Sequence, residues 1–213
     1  MASLGLYLRD FREFLSSDEG RQRLAEAEEK KQLMQKALSK ENFPKLNEEA
    51  FPQLFARLHS VPEEKAARAV ETLTSKYGLE NLKGELYYFL FGERPIEERF
   101  DEIRKAIPDW PTEFVLEMAT FAGPREFCMW NNEAKQMIKF VGQSRMHGLS
   151  EKAFTKEFSG WDYVACKTAL NQIREQLRSY LQRRADFVDV LLFARYMYDN
   201  EISKVLKAEA KHG

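Results

Sequence analysis

The stretch Ile96–Phe121, IEERFDEIRKAIPDWPTEFVLEMATF, holds the helical period on both sides of a proline-bracketed bend. Pro95 sets an N1-type start for a helix over Ile96–Ala106, because its fixed φ suits the first helical turn and its missing N–H costs nothing there. Pro108 and Pro111 bracket a tight turn, and Thr112–Ala122 resumes helical spacing with Phe114, Val115, Met118 and Phe121 facing one way. Two-residue alternation lasts no more than a few positions anywhere, so the same reading extends in both directions.

Toward the N-terminus, Leu4, Leu8, Phe11 and Phe14 mark a first amphipathic helix. Ser17, followed by Asp18 and Glu19, is an N-cap with acidic first-turn residues that complement the helix dipole. It opens a long charged helix to about Leu38 with a sparse apolar stripe. Asn47 caps a helix with Phe51, Leu54, Phe55 and Leu58 inward. Pro62 opens another, which Gly78 stops, and Leu79–Phe91 follows, ended by Gly92. Toward the C-terminus, Gly123–Trp130 (GPREFCMW) is the least helical part, and Asn131 or Asn132 caps a helix closed by Gly142. Ser150 opens a short helix to Phe158, and Gly160 separates it from a long one over Trp161–Arg184. A last helix carries Phe187, Val190, Leu191, Ala194 and Met197. The expected fold is all-α, about ten helices in a compact globule of mixed helix angles. The charged residues 1–45 are expected to form an N-terminal arm, and residues 46–213 the compact domain.

Composition excludes several classes. With 213 residues, 44% of them hydrophobic, and only 10 Gly and 7 Pro, the chain is long enough for a sizeable core and is neither collagen-like nor a low-complexity segment. A net charge of −1 removes the simplest argument for a nucleic-acid binder, a strongly basic surface. Cys128 and Cys166 sit in apolar periodic stretches without CxxC spacing, which reads as two reduced, buried thiols. His59, His147 and His212 share no ligand spacing, so neither a metal nor a cofactor is expected. His147, in Met146-His147-Gly148, reads as loop surface. The start, MASLGLYLRDFREFL, lacks the uninterrupted apolar core of a secretory leader, and no apolar run approaches a membrane span. A cytoplasmic location without a membrane partner is the expectation.

The segment Ile107-Pro108-Asp109-Trp110-Pro111-Thr112-Glu113-Phe114-Val115, the apolar helix after it, and Cys128-Met129-Trp130-Asn131-Asn132 resemble in layout the helix-hairpin-helix region of the base-excision DNA glycosylase superfamily. The resemblance covers residues 107–132 directly and, more loosely, the helical character of 60–205. It implies a DNA-gripping corner after Ala106 and a repair or defence setting. Laid on without gaps, Asp109 and Pro111 occupy the hairpin glycine positions, Glu113 the position of the Schiff-base Lys in lyase-type members, and Asn131 that of the catalytic Asp. Pro111 lacks an N–H for a phosphate, Asp109 brings negative charge to it, and an amide cannot act as a general base. The resemblance therefore implies a DNA-binding chain stripped of the chemistry. The wider layout, ELYYFLFGERPIEERFDE to FAGPREFCMWNNEAKQMIKFVG, also resembles archaeal and bacterial helical modules that accompany restriction or ATPase domains.

Candidate contacts to duplex DNA follow. Trp110 and Trp130 flank the bend and could stack on a displaced base, although such rings more often pack in cores. Thr112 and Asn131 belong to the same region, and Arg125 can pair with a phosphate or cap a helix C-terminus. Lys167, Arg174, Arg178, Arg183 and Arg184, against Glu175, make a local sum of +4 on one long helix, a stripe that could track a phosphate backbone or remain a solvated face. The rival from another class is a base-excision enzyme, a DNA glycosylase, with Glu113, Asp109 and Asp162 as the acids. A third alternative is a protein-interaction module, the charged helix Asp18–Lys36 offering its surface to a protein partner.

Overall fold

A computed structural model describes residues 4–58, 63–142, 148–155 and 157–210. Pro62 and all three histidines (His59, His147 and His212) lie outside the described residues. The described residues are 76% helical and contain no strand. Its α-helices are α1 (Leu4–Leu15), α2 (Asp18–Ala37), α3 (Ala50–Ala56), α4 (Glu63–Tyr77), α5 (Leu79–Phe91), α6 (Ile96–Ala106), α7 (Thr112–Ala122), α8 (Asn132–Phe140), α9 (Gly160–Leu181), α10 (Phe187–Met197) and α11 (Ser203–Glu209). A π turn over Tyr198–Ile202 joins α10 to α11, so the last three segments run on as one rod. No helix among the described residues is long and apolar enough to cross a membrane.

Local chemistry sets the helix ends where the capping residues stand. The Ser17 hydroxyl accepts from the Gly20 N–H at 3.1 Å, and the Asn47 side chain accepts from Ala50 at 2.8 Å. Asn131, rather than Asn132, caps α8, accepting from the Ala134 N–H at 3.1 Å. Gly78 takes φ +78°, which lets the chain leave α4 and enter α5 without a strained side chain. Two reciprocal capping boxes, Ser159 with Asp162 and Asp186 with Asp189, open α9 and α10.

Those boxes account for two departures from expectation. Gly160 does not separate two helices; it is the first residue of α9, pressed against α6. A Cβ there would lie 2.0 Å from the Glu97 carbonyl oxygen, while the Gly160 N–H donates to Asp101 at 2.7 Å. Only glycine lets the two backbones approach this closely. The short helix expected from Ser150 to Phe158 shrinks to a 3₁₀ turn over Glu151–Phe154, because the chain must extend again to place Ser159 as the α9 cap. At the other end α9 stops at Leu181, not at Arg184. Gln182 adopts the left-handed conformation (φ 54°), and the chain turns to bury Ala185 and Phe187.

One apolar cluster runs through the molecule. The α2 helix packs along α7, α9 packs on α6 and α10, and α10 lies against α8. Phe100 and Tyr163 stack with centroids 5.0 Å apart, and Phe11 meets Phe193 at 5.3 Å. Leu8, Phe11 and Met34 are fully buried in this cluster. Residues 4–38 therefore do not stand apart as an arm. The sparse stripe of α2 lies mainly along α7, with α1 and α10 also packed against the helix, and Lys30 within that stripe reaches the Glu117 carboxylate of α7, both side chains at most 5% exposed.

Candidate nucleic-acid interface

Both tryptophans that flank the bend belong to the core. Trp110 is 5% exposed and stacks on Phe55 at 6.1 Å; Trp130 is 2% exposed and donates from Nε1 to the Ala153 carbonyl at 2.7 Å. Neither ring face is open to a base, which corrects the expected stacking role of both. The indole that is exposed is Trp161, at 70%, in the first turn of α9. Nothing in the helical period distinguishes it, since it falls on the outer face beside a cap.

The corner after Ala106 is partly open. Pro108, Asp109 and Pro111 are exposed, while Ile107 and Trp110 anchor it from below. Asp109 pairs with Lys76 of α4 and accepts from the Tyr77 hydroxyl at 2.7 Å, and these two hydrogen bonds hold its carboxyl below the usual range. The corner is thus tied to α4 through the acid that the resemblance placed at a phosphate. Thr112 begins α7 and is half-buried.

The basic residues are regrouped. Arg125, in the loop after α7, comes against the end of α9: Arg174 donates to the Arg125 carbonyl at 3.4 Å. Arg125, Arg174 and Arg178, with Arg183 and Arg184 from the turn after α9, line one cleft of about 440 Å³ that also takes in Glu175 and Gln182. Lys167 is half-buried and lies outside the cleft, so the expected linear stripe is a bowl at its C-terminal end.

These arginines fall into two kinds. Arg174 spreads over the Phe187 ring, 4.8 Å from its centroid, and pairs with Glu175 at 3.2 Å. Arg183 forms a two-pronged pair with Asp189, whose side chain is 4% exposed, and that hydrogen bond holds the guanidinium above its ordinary pKa. Arg125, Arg178 and Arg184 are exposed and make no side-chain ion pair among the described residues. Three cations thus converge with no internal acid to neutralise them.

A second cavity, about 350 Å³, opens between α2, α7, α8 and α10. Its floor includes Phe121, Met129, Leu191 and Leu192, and its walls carry Glu113, Asn131, Glu133 and Arg195. Burial pushes the Glu113 carboxyl up, aided by Glu133 and Glu117 and opposed by Lys135. The buried Lys30–Glu117 pair stands at its back; desolvation pushes the Lys30 ammonium down, against the pull of Glu117, and the ammonium rests 4.4 Å over Phe121. Of the three candidate acids, Glu113 alone enters this cavity. Asp162 is consumed by its capping box and a 2.7 Å hydrogen bond from Ser150; although burial raises its pKa, the bonds from Ser150 and Ser159 bring it below the usual range. Asn131 lines the cavity, yet its amide oxygen is engaged as the α8 cap.

The two thiols are buried and free. Burial pushes Cys128 up to about 12 and Cys166 higher still, so neither is a nucleophile at neutral pH. No group of three or more His, Cys, Asp or Glu among the described residues is placed to hold a metal ion.

Compared with protein-family models, with curated proteins and with solved structures, the chain shows no match.

Several of these features were open to sequence reasoning and missed. Lys30 stands in register with Ala27 and Met34 at helical spacing, which marks a cation on a buried face. Glu113 and Glu117, four apart, share one face of α7. Arg195, Tyr198 and Glu133 gave no local signal, because α8 and α10 meet only in the folded chain.

Proposed function

We propose that the chain binds nucleic acid without catalysis, duplex DNA first, through phosphate contacts in the arginine cleft. The observation that carries this reading is the meeting of Arg125 with Arg178 and Arg184 as unneutralised cations in one concave site. Guanidinium groups recognise phosphate oxygens by paired, charge-assisted hydrogen bonds, and a concave wall of five arginines against one glutamate concentrates anions despite a whole-chain charge of −1. The resemblance of residues 107–132 to the glycosylase corner adds a repair or defence setting to the same proposal. The test is a mobility shift of a short labelled duplex at low ionic strength. Arg125→Glu, Arg178→Glu and Arg184→Glu combined abolish the shift while the circular dichroism spectrum stays helical; an undiminished shift refutes the cleft.

The raised Glu113 carboxyl beside a mixed polar and apolar cavity favours one second function, base excision with Glu113 as the acid. Release of a base from damaged duplexes by the intact chain, lost in Glu113→Gln, establishes it; no release from any damaged duplex removes it.

A further inference from the structure

The shape of the arginine cleft narrows its ligand. A backbone track needs cations spaced along a groove, with neighbours of the same sign at either end. Here the arginines come from the loop after α7, from α9 and from the turn after it, and line one cleft of about 440 Å³. Lys167, two turns back along α9, does not extend it. Acids stand at it: Glu175 is part of the wall and Glu126 follows Arg125, while Asp186 and Glu28, both paired with Lys31, act on Arg183 from behind it. An extended polyanion leaving the cleft would run against those carboxylates. A compact one, ending inside it, would not.

We propose that the cleft takes a terminal phosphate monoester, the phosphorylated end of a strand; this rests on the nucleic-acid reading above. A monoester carries about −1.5 to −2 charge at neutral pH and three acceptor oxygens. An internal phosphodiester carries a single negative charge, too little for three converging free guanidiniums. Arg174 and Arg183 are positioning residues: spread over Phe187 and clasped to Asp189, they fix the walls. Arg125, Arg178 and Arg184 supply the contacts, with no ion pair among the described residues to break first.

The experiment compares the intact chain on two otherwise identical labelled duplexes, one with 5′-phosphate and one with 5′-hydroxyl ends, with a covalently closed circle and inorganic tripolyphosphate as competitors. The phosphorylated duplex binds at least about tenfold tighter, the scale of one added charge-assisted contact. Tripolyphosphate competes and the circle does not. Arg125→Gln, Arg178→Gln and Arg184→Gln combined erase the preference with the thermal unfolding midpoint retained, since these side chains have no ion-pair partner to lose among the described residues. Equal, salt-sensitive affinity for both duplexes, or full competition by the circle, overturns the end-binding proposal and leaves nucleic-acid binding standing. Absence of binding to either duplex overturns both, and tripolyphosphate binding in that case reassigns the cleft to a free polyanion.

Discussion

Raising the salt concentration from 50 to 200 mM is the perturbation whose effect the cleft fixes most closely, because counterion release counts engaged cations. Three arginines, Arg125, Arg178 and Arg184, are free to neutralise phosphate charge, whereas Arg183 is bound to Asp189 and Arg174 to Glu175. With about 0.9 counterions released per neutralised phosphate on duplex DNA, three arginines that each engage one backbone phosphate give a plot of log affinity against log salt with a slope of about −2.7, whereas all three gathered on a single terminal phosphate give a shallower one. At a slope of about −2.7, a fourfold rise in salt weakens binding about 40-fold. Were all five arginines engaged, the slope would be about −4.5 and the loss about 500-fold. Fluorescence anisotropy on a short labelled duplex across that salt range measures the slope, and Arg178→Ala shifts it by about 0.9 toward zero. A slope near zero, or one that Arg178→Ala leaves unchanged, refutes the assignment of these side chains as the phosphate contacts. A slope as steep as −4.5 refutes the division into free and held arginines.

Other consequences are independent of any ligand. Lys30→Met takes the Lys30 ammonium away from the buried Glu117 carboxylate and lowers stability by about 3–5 kcal/mol in urea unfolding, whereas adding Glu117→Leu restores most of the loss; a single-variant cost under about 1 kcal/mol shows that the carboxylate is compensated without Lys30. Glu113→Gln changes the pH dependence in a fixed direction. The folded carboxyl has its pKa raised, so the stability it contributes is present below its unfolded pKa and lost as pH rises through the folded one; the variant matches the parent near pH 4 and exceeds it at pH 7, and a variant less stable at pH 7 contradicts the desolvation assigned to this group. Iodide quenches one tryptophan of the three: Trp161→Phe removes the quenchable fluorescence, and residual quenching after that change contradicts the burial of Trp110 and Trp130.

The helices were legible because their signals are local. Ser17, Asn47, Gly78 and Asn131 each act within one turn of where they stand, and proline and glycine punctuation marked most boundaries within a residue or two. The reading failed where a distant backbone decides. Gly160 looked like a break because glycine is a poor helix former, but the α6 carbonyl pressed against it admits nothing larger. Arg183 and Arg184 looked helical because charged residues continue any solvated face; the need to bury Phe187 ended α9 ahead of them. The charged first forty residues looked like an arm because charge density masks a narrow stripe, yet one buried lysine and its glutamate lock α2 to α7.

The same distinction governs the site. The fold regroups the basic residues: a sequence shows spacing along α9, and spacing suggests a track, but Lys167 falls outside the cleft and Arg125 enters it. What turns a track into a bowl is Arg125, 49 positions upstream of Arg174, brought in by the loop after α7, whose Pro124 carbonyl accepts from the Phe187 N–H at 2.7 Å. That bond docks the loop onto the first turn of α10, next to the turn carrying Arg183 and Arg184. The cleft therefore depends on a backbone contact that no side-chain pattern encodes. The proposed ligand preference rests on that contact as much as on the arginines, because the contact brings Arg125 into the same cleft as Arg178 and Arg184.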